Sequence, residues 1–80
     1  MSGVPGLILY GKAGCHLCEE ARALLARETP ELSLAEVDIA GDPLLVGRYG
    51  ERIPVLARSD TGEELDWPFT GQDVAAFVGR

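Results

Sequence analysis

Apolar and polar positions along the chain follow two alternating periods. Leu7-Ile8-Leu9-Tyr10 is an unbroken apolar run between Gly6 and Gly11. A run so short and continuous reads as a strand buried on both faces. Gly11-Lys12-Ala13-Gly14 is turn chemistry. From Cys15 to about residue 28 the period lengthens, and Leu17, Ala21, Leu24 and Leu25 form one apolar helical face. Glu19 and Glu20 near its start, with Arg22 and Arg27 further on, suit the helix dipole. Thr29-Pro30 stops it. Residues 32–39 alternate imperfectly and read as a second strand. Asp42 caps and Pro43 opens a short helix that runs to about Tyr49 and ends at Gly50. Residues 54–57 form a third strand. Ser59-Asp60-Thr61-Gly62 turns the chain into a fourth strand at residues 63–66. Thr70, with Asp73 three positions on, opens a final helix to about Gly79 in capping-box spacing.

This order, β-α-β-α-β-β-α, predicts an α/β fold with a four-stranded mixed sheet flanked by three helices, in one domain spanning residues 1–80. The first two strands, joined through a helix, are expected parallel with a right-handed crossover. The hairpin makes the last two antiparallel. The first strand-to-helix junction then lies at the carboxyl end of its strand, where α/β sheets usually place their chemistry.

Composition narrows the partners. With 46% hydrophobic residues in 80, the chain can bury a core without disulfide staples or a structural metal. A net charge of −6 repels phosphate, which argues against nucleic acid and against anionic membrane surfaces. Residues 1–6 carry no positive cluster, and the run at residues 7–10 is too short for a signal core or a membrane span. The expected compartment is the cytoplasm, and nothing in the sequence calls for more than a monomer.

The candidate chemistry sits at that first junction. Cys15-His16-Leu17-Cys18 holds the only two cysteines in the chain. At a helix start their sulfurs lie one turn apart, close enough to form and reopen a disulfide. Closing so short a loop contributes about 2 kcal/mol by chain entropy. A bridge that adds so little to stability is there to react. In a reducing compartment such a pair is catalytic, redox-sensing or metal-binding more often than structural.

Three segments together resemble the glutaredoxin-like branch of the thioredoxin superfamily. Residues 7–18 look like the first strand and active-site turn of a glutaredoxin. Arg52-Ile53-Pro54-Val55-Leu56 looks like the segment whose proline, in cis, faces the cysteine pair. Glu63-Glu64-Leu65-Asp66-Trp67-Pro68-Phe69 looks like a bacterial subgroup of short glutaredoxin-like proteins. The chain differs from standard glutaredoxins in carrying His16-Leu17 where they have Pro-Tyr. It has residues 66–71 where they have a Gly-Gly and aspartate patch that helps hold glutathione. The glycine-phenylalanine motif of iron–sulfur monothiol glutaredoxins is absent. The resemblance implies a thioredoxin-like fold, dithiol–disulfide oxidoreductase activity, and a place in electron transport and cell redox homeostasis. It implies no tightly bound cofactor, glutathione as a candidate reductant, and a disulfide-bearing protein or glutathione mixed disulfide as partner.

In the expected cycle Cys15 is the attacking thiolate and Cys18 the resolving thiol. An ordinary cysteine is only a few per cent ionised at neutral pH. Free backbone N–H groups at a helix N-terminus favour the Cys15 anion. Lys12 and protonated His16 would add positive charge, and Glu19 opposes it. Cys18, inside the helix, is expected to be buried. The remaining candidates each carry a plainer alternative. His16 is a tuning residue or a solvated side chain, and Lys12 a substrate contact or a loop lysine. Pro54 in cis would present the backbone of Ile53 to an extended partner. Arg52 and Arg48 would bind a substrate carboxylate or lie solvated. Trp67 and Phe69 are a lid on the core or an aromatic wall beside the cysteines. Two other functions stay open: a redox-sensing interaction domain, and a zinc or iron–sulfur module needing ligands beyond Cys15, Cys18 and His16.

Overall fold

The computed structural model describes residues 6–79. Residues 1–5, read above for a leader, and Arg80 lie outside the described residues. The elements follow in order β1 (Leu7–Gly11), α1 (His16–Glu28), β2 (Leu34–Asp38), α2 (Pro43–Tyr49), β3 (Val55–Arg58), β4 (Glu64–Asp66) and α3 (Gly71–Val78). The sheet order is β2-β1-β3-β4. The β1–β2 pair is parallel, while β1–β3 and β3–β4 are antiparallel. This is the expected mixed α/β sheet with three helices, in a thioredoxin-like arrangement. None of the helices among the described residues is long and apolar enough to cross a membrane.

Strand alternation sorts the core into two layers. Leu7, Leu9 and Leu56 meet Ala21 and Leu25 of α1, Val74 and Phe77 of α3, and Phe69. On the opposite face Val55 meets Ile39 and Tyr49, with Tyr10, Leu45 and Ile53 packed around them. The short α2 covers only part of that second face. Ile8 and Tyr10 are therefore half-buried, in place of the fully enclosed strand that the apolar run predicts.

Local chemistry sets the ends. Asp42 accepts from the N–H groups of Leu44 at 2.9 Å and Leu45 at 3.4 Å, with Pro43 at the first turn of α2. Thr70 and Asp73 form the predicted capping box on α3. Four corrections concern boundaries and faces. β1 runs one residue further, through Gly11, because the Gly11 carbonyl accepts from the Ile39 N–H at 2.9 Å. β2 is shorter than residues 32–39, because the Leu32 N–H turns back to the Thr29 carbonyl. Cys15 stands outside α1 as its N-cap. Leu17 is 44% exposed, not part of the apolar face. The buried line of α1 is Cys18, Ala21 and Leu25, and one residue back rotates Leu17 about 100° away from it.

Candidate active site

The chain reaches the cysteines through a turn that only glycine makes easily. Gly14 has φ +78°, a conformation that costs other residues more than glycine. The next residue, Cys15, is extended, with φ −86° and ψ 109°. Its N–H donates to the Lys12 carbonyl at 3.3 Å. Its Sγ then accepts from the Cys18 N–H at 3.2 Å, as a capping oxygen would. A sulfur held at this position faces an oriented donor and the positive end of α1. Both favour its anionic form once the bridge is reduced.

Cys15 and Cys18 are joined as a disulfide with their Cα atoms 5.2 Å apart. The pair is asymmetric: Cys15 is half-buried at the surface, while Cys18 is only 3% exposed. Behind Cys18 lies Gly11, where any Cβ would stand 2.9 Å from the Cys18 Sγ. The cysteine end of the sheet also carries the start of β3. Tyr10 pairs with Val55 in the antiparallel register, so Pro54 falls next in line, beside Gly11. Pro54 is buried, and the Ile53–Pro54 bond is cis, as the resemblance implies. The Pro54 carbonyl accepts from the Trp67 N–H at 3.2 Å, which extends the β3–β4 pairing to the site. A second cis bond, Trp67–Pro68, was not legible beforehand.

Lys12 is exposed beside Cys15 in the turn. It lines a cavity of about 250 Å³ between α1 and β2, together with Gly11, Cys18, Arg22, Glu36 and Asp38. His16 is 83% exposed, and its Nε2 lies 3.0 Å from Glu20, one helical turn on. Ile53 is half-buried and its N–H already donates to the Tyr49 carbonyl at 3.0 Å. Phe69 and Trp67 meet edge to face at 5.0 Å over the α1–α3 layer, as a lid on the core.

Arg52 is half-buried and committed to the protein's own carboxylates. Its guanidinium meets Asp66 through two bonds, at 3.1 and 2.7 Å, and Glu64 at 2.8 Å. The Tyr49 ring lies under it at 5.2 Å, and Arg48 sits over the same ring at 5.4 Å. Tyr49 donates to Glu64 at 2.6 Å and stacks on Tyr10 at 4.2 Å. The Tyr49 hydroxyl and the Arg52 guanidinium hold Glu64 below its usual range. Arg52 does the same for Asp66. Burial, then Glu64, pushes the Tyr49 phenol well above its ordinary value. This network was missed in the sequence. Its signal was the alternation of Glu64 and Asp66 on one face of a strand, with Arg48 and Arg52 four residues apart.

The family described as "Glutaredoxin-like domain (DUF836)" matches residues 6–79. The chain is similar to protein XcR50 from X. campestris, at 38% identity and TM-score 0.85 against its X-ray structure. That likeness covers 92% of this chain and 96% of the other. It is also similar to protein Ne2328 from Nitrosomonas europaea, at 30% identity and TM-score 0.83 over 98% of this chain and 95% of that one. No match was found among curated proteins.

Proposed function

Because the chain belongs to the glutaredoxin-like domain family, we propose that it is a small dithiol–disulfide oxidoreductase. The observation that carries this reading is the asymmetry of the cysteine pair: an N-capping sulfur at the surface, bridged to a buried one. In the reduced protein the Cys15 thiolate attacks a substrate disulfide. A bond forms between its Sγ and one substrate sulfur, and the other substrate sulfur leaves as a thiolate. Cys18 then loses its proton and attacks the Cys15 Sγ. The Cys15–Cys18 disulfide closes and the second substrate sulfur is released. Two electrons pass to the substrate, which takes up two protons, and the pair is oxidised. The low solvent exposure of Cys18 suits this order, since a buried thiol stays protonated until the mixed disulfide forms beside it.

Lys12 stands where it can meet a partner approaching Cys15. Ile53, whose N–H is committed to Tyr49, would offer an extended partner its carbonyl side. The partner in this proposal is a disulfide-bearing protein, the compartment the cytoplasm, and the working unit a monomer. Reduction of the bridge falls to an external thiol.

Trapping tests the reading. Cys18→Ser should stop the cycle at the mixed disulfide, so that incubation with a disulfide peptide leaves the peptide attached to Cys15 by intact mass. Cys15→Ser should trap nothing. A Cys15–Cys18 couple within roughly −180 to −270 mV in a glutathione buffer agrees with the proposal. A pair that never oxidises in that range would overturn it.

A further inference from the structure

We propose that the site selects a disulfide partner that is neutral or basic around its cysteine, a polypeptide segment and not an anionic thiol tripeptide. This deepens the oxidoreductase reading and rests on it. The ground is where the positive charge of this chain is spent. Each described arginine is in an ion pair with a carboxylate: Arg22 with Glu36, Arg27 with Glu28, Arg48 with Glu64, Arg52 with Glu64 and Asp66, and Arg58 with Asp60. Recognition of a carboxylate by a guanidinium relies on its two-pronged donor face. In Arg52 that face is already turned onto Asp66, with Glu64 on the remaining edge.

The location makes this bear on the substrate. β1 ends at Gly11, β3 begins at Val55 and β4 ends at Asp66, so the Arg52–Asp66 pair lies at the same end of the sheet as the cysteines, on the outer strand and on the α2 face. Arg52 immediately precedes the Ile53–Pro54 segment beside the cysteines. An anionic partner lying there would meet a guanidinium whose Nε and Nη2 already bond two carboxylates. Lys12 is the one described cation without a carboxylate partner, and it shares its cavity with Glu36 and Asp38. Glu19 and Glu20 in the first turns of α1, and Glu51 next to Arg52, are exposed. With a net charge of −6, the field at the site favours the approach of positive or neutral segments over negative ones.

The test follows single-turnover oxidation of the prereduced full-length protein. The oxidants are three cystine-linked peptides of equal length, basic, neutral and acidic around the cysteine, together with glutathione disulfide. At low ionic strength the basic peptide should react roughly tenfold faster than the acidic one. Glutathione disulfide should fall with the acidic peptide, and raising the salt should narrow the gap. Asp66→Asn, which releases the two-pronged face of Arg52, should speed the acidic peptide and glutathione disulfide several-fold while leaving the neutral peptide unchanged. The salt series on the unmodified protein stands by itself if that variant does not fold. Acidic peptide or glutathione disulfide reacting as fast as the basic peptide would overturn the inference and leave the oxidoreductase reading intact. So would a folded Asp66→Asn protein with an unchanged order of rates. No exchange with any of the four would sink both.

Discussion

A methyl group on Gly11 would stand 2.9 Å from the Cys18 Sγ and 3.2 Å from its Cβ. Backbone and sulfur are therefore in direct contact, and no side chain fits between strand and helix at that point. Gly11→Ala should push Cys18, and the start of α1 with it, away from the sheet. The expected cost is about 1–3 kcal/mol, the range for an overfilled core position. Denaturant unfolding of the oxidised protein measures it, and a midpoint equal to that of the parent would show that the helix start yields freely. The same displacement should slow closure of the Cys15–Cys18 bridge in the reduced protein. Gly14 answers to a different demand. Open space surrounds the position of its missing Cβ, and its φ of +78° is what calls for glycine. The two glycines look alike in the sequence. One serves the backbone path, which turn chemistry reveals, and the other serves a contact between residues seven apart.

At the scale of elements, the caps do more than mark boundaries. Thr70 closes α3 reciprocally with Asp73, through a 3.1 Å bond to the Asp73 N–H and a 2.9 Å bond from its own N–H. α3 brings Val74 and Phe77 to the layer that also supports α1. Thr70→Ala should cost about 1 kcal/mol, as is usual for loss of an N-cap oxygen. Thermal melts of parent and variant give the number, and an unchanged melting temperature would mean that packing alone positions α3. In α1 the cap is itself the reactive group. The Cys15 Sγ takes the place of a capping oxygen, so the group that starts the helix is also the one its dipole activates. Boundaries set by such local bonds were readable: Asp42-Pro43, Thr70 with Asp73, and Thr29-Pro30 all act where their chemistry predicts. The end of β1 was not, because it depends on the cross-strand bond from Ile39 to Gly11.

For the molecule as a whole, the network of Tyr49, Arg52, Glu64 and Asp66 ties α2 and the segment before Pro54 to the outer strand β4. Glu64 and Asp66 are both held below their ordinary values of 4.5 and 3.8. A carboxylate whose folded value is depressed stabilises the fold above its unfolded value, and that contribution disappears as pH falls through the folded one. Stability from this network should therefore be flat near neutrality and decline as the pH drops below 4.5. Tyr49 acts in the opposite direction. Its phenol is raised above 10.0 in the fold, so its contribution is complete below that pH and is lost in stronger alkali. Melting temperature followed from acid to alkali checks both limbs. Asp66→Asn should flatten the acid limb, and an acid limb as steep as the parent's would place the effect elsewhere.

Sequence alone determined what local forces control: the order of the elements, the caps, the turns and the position of the cysteine pair at a helix start. Periodicity, capping oxygens and glycine dihedrals act within a few residues, so they can be read in one dimension. The tertiary structure decided what depends on distant partners. It set the glycine against Cys18, turned Leu17 to solvent and gave Arg52 to Glu64 and Asp66. Contacts of that kind arise only once strands and helices pack against one another, and no local pattern encodes which charge will meet which.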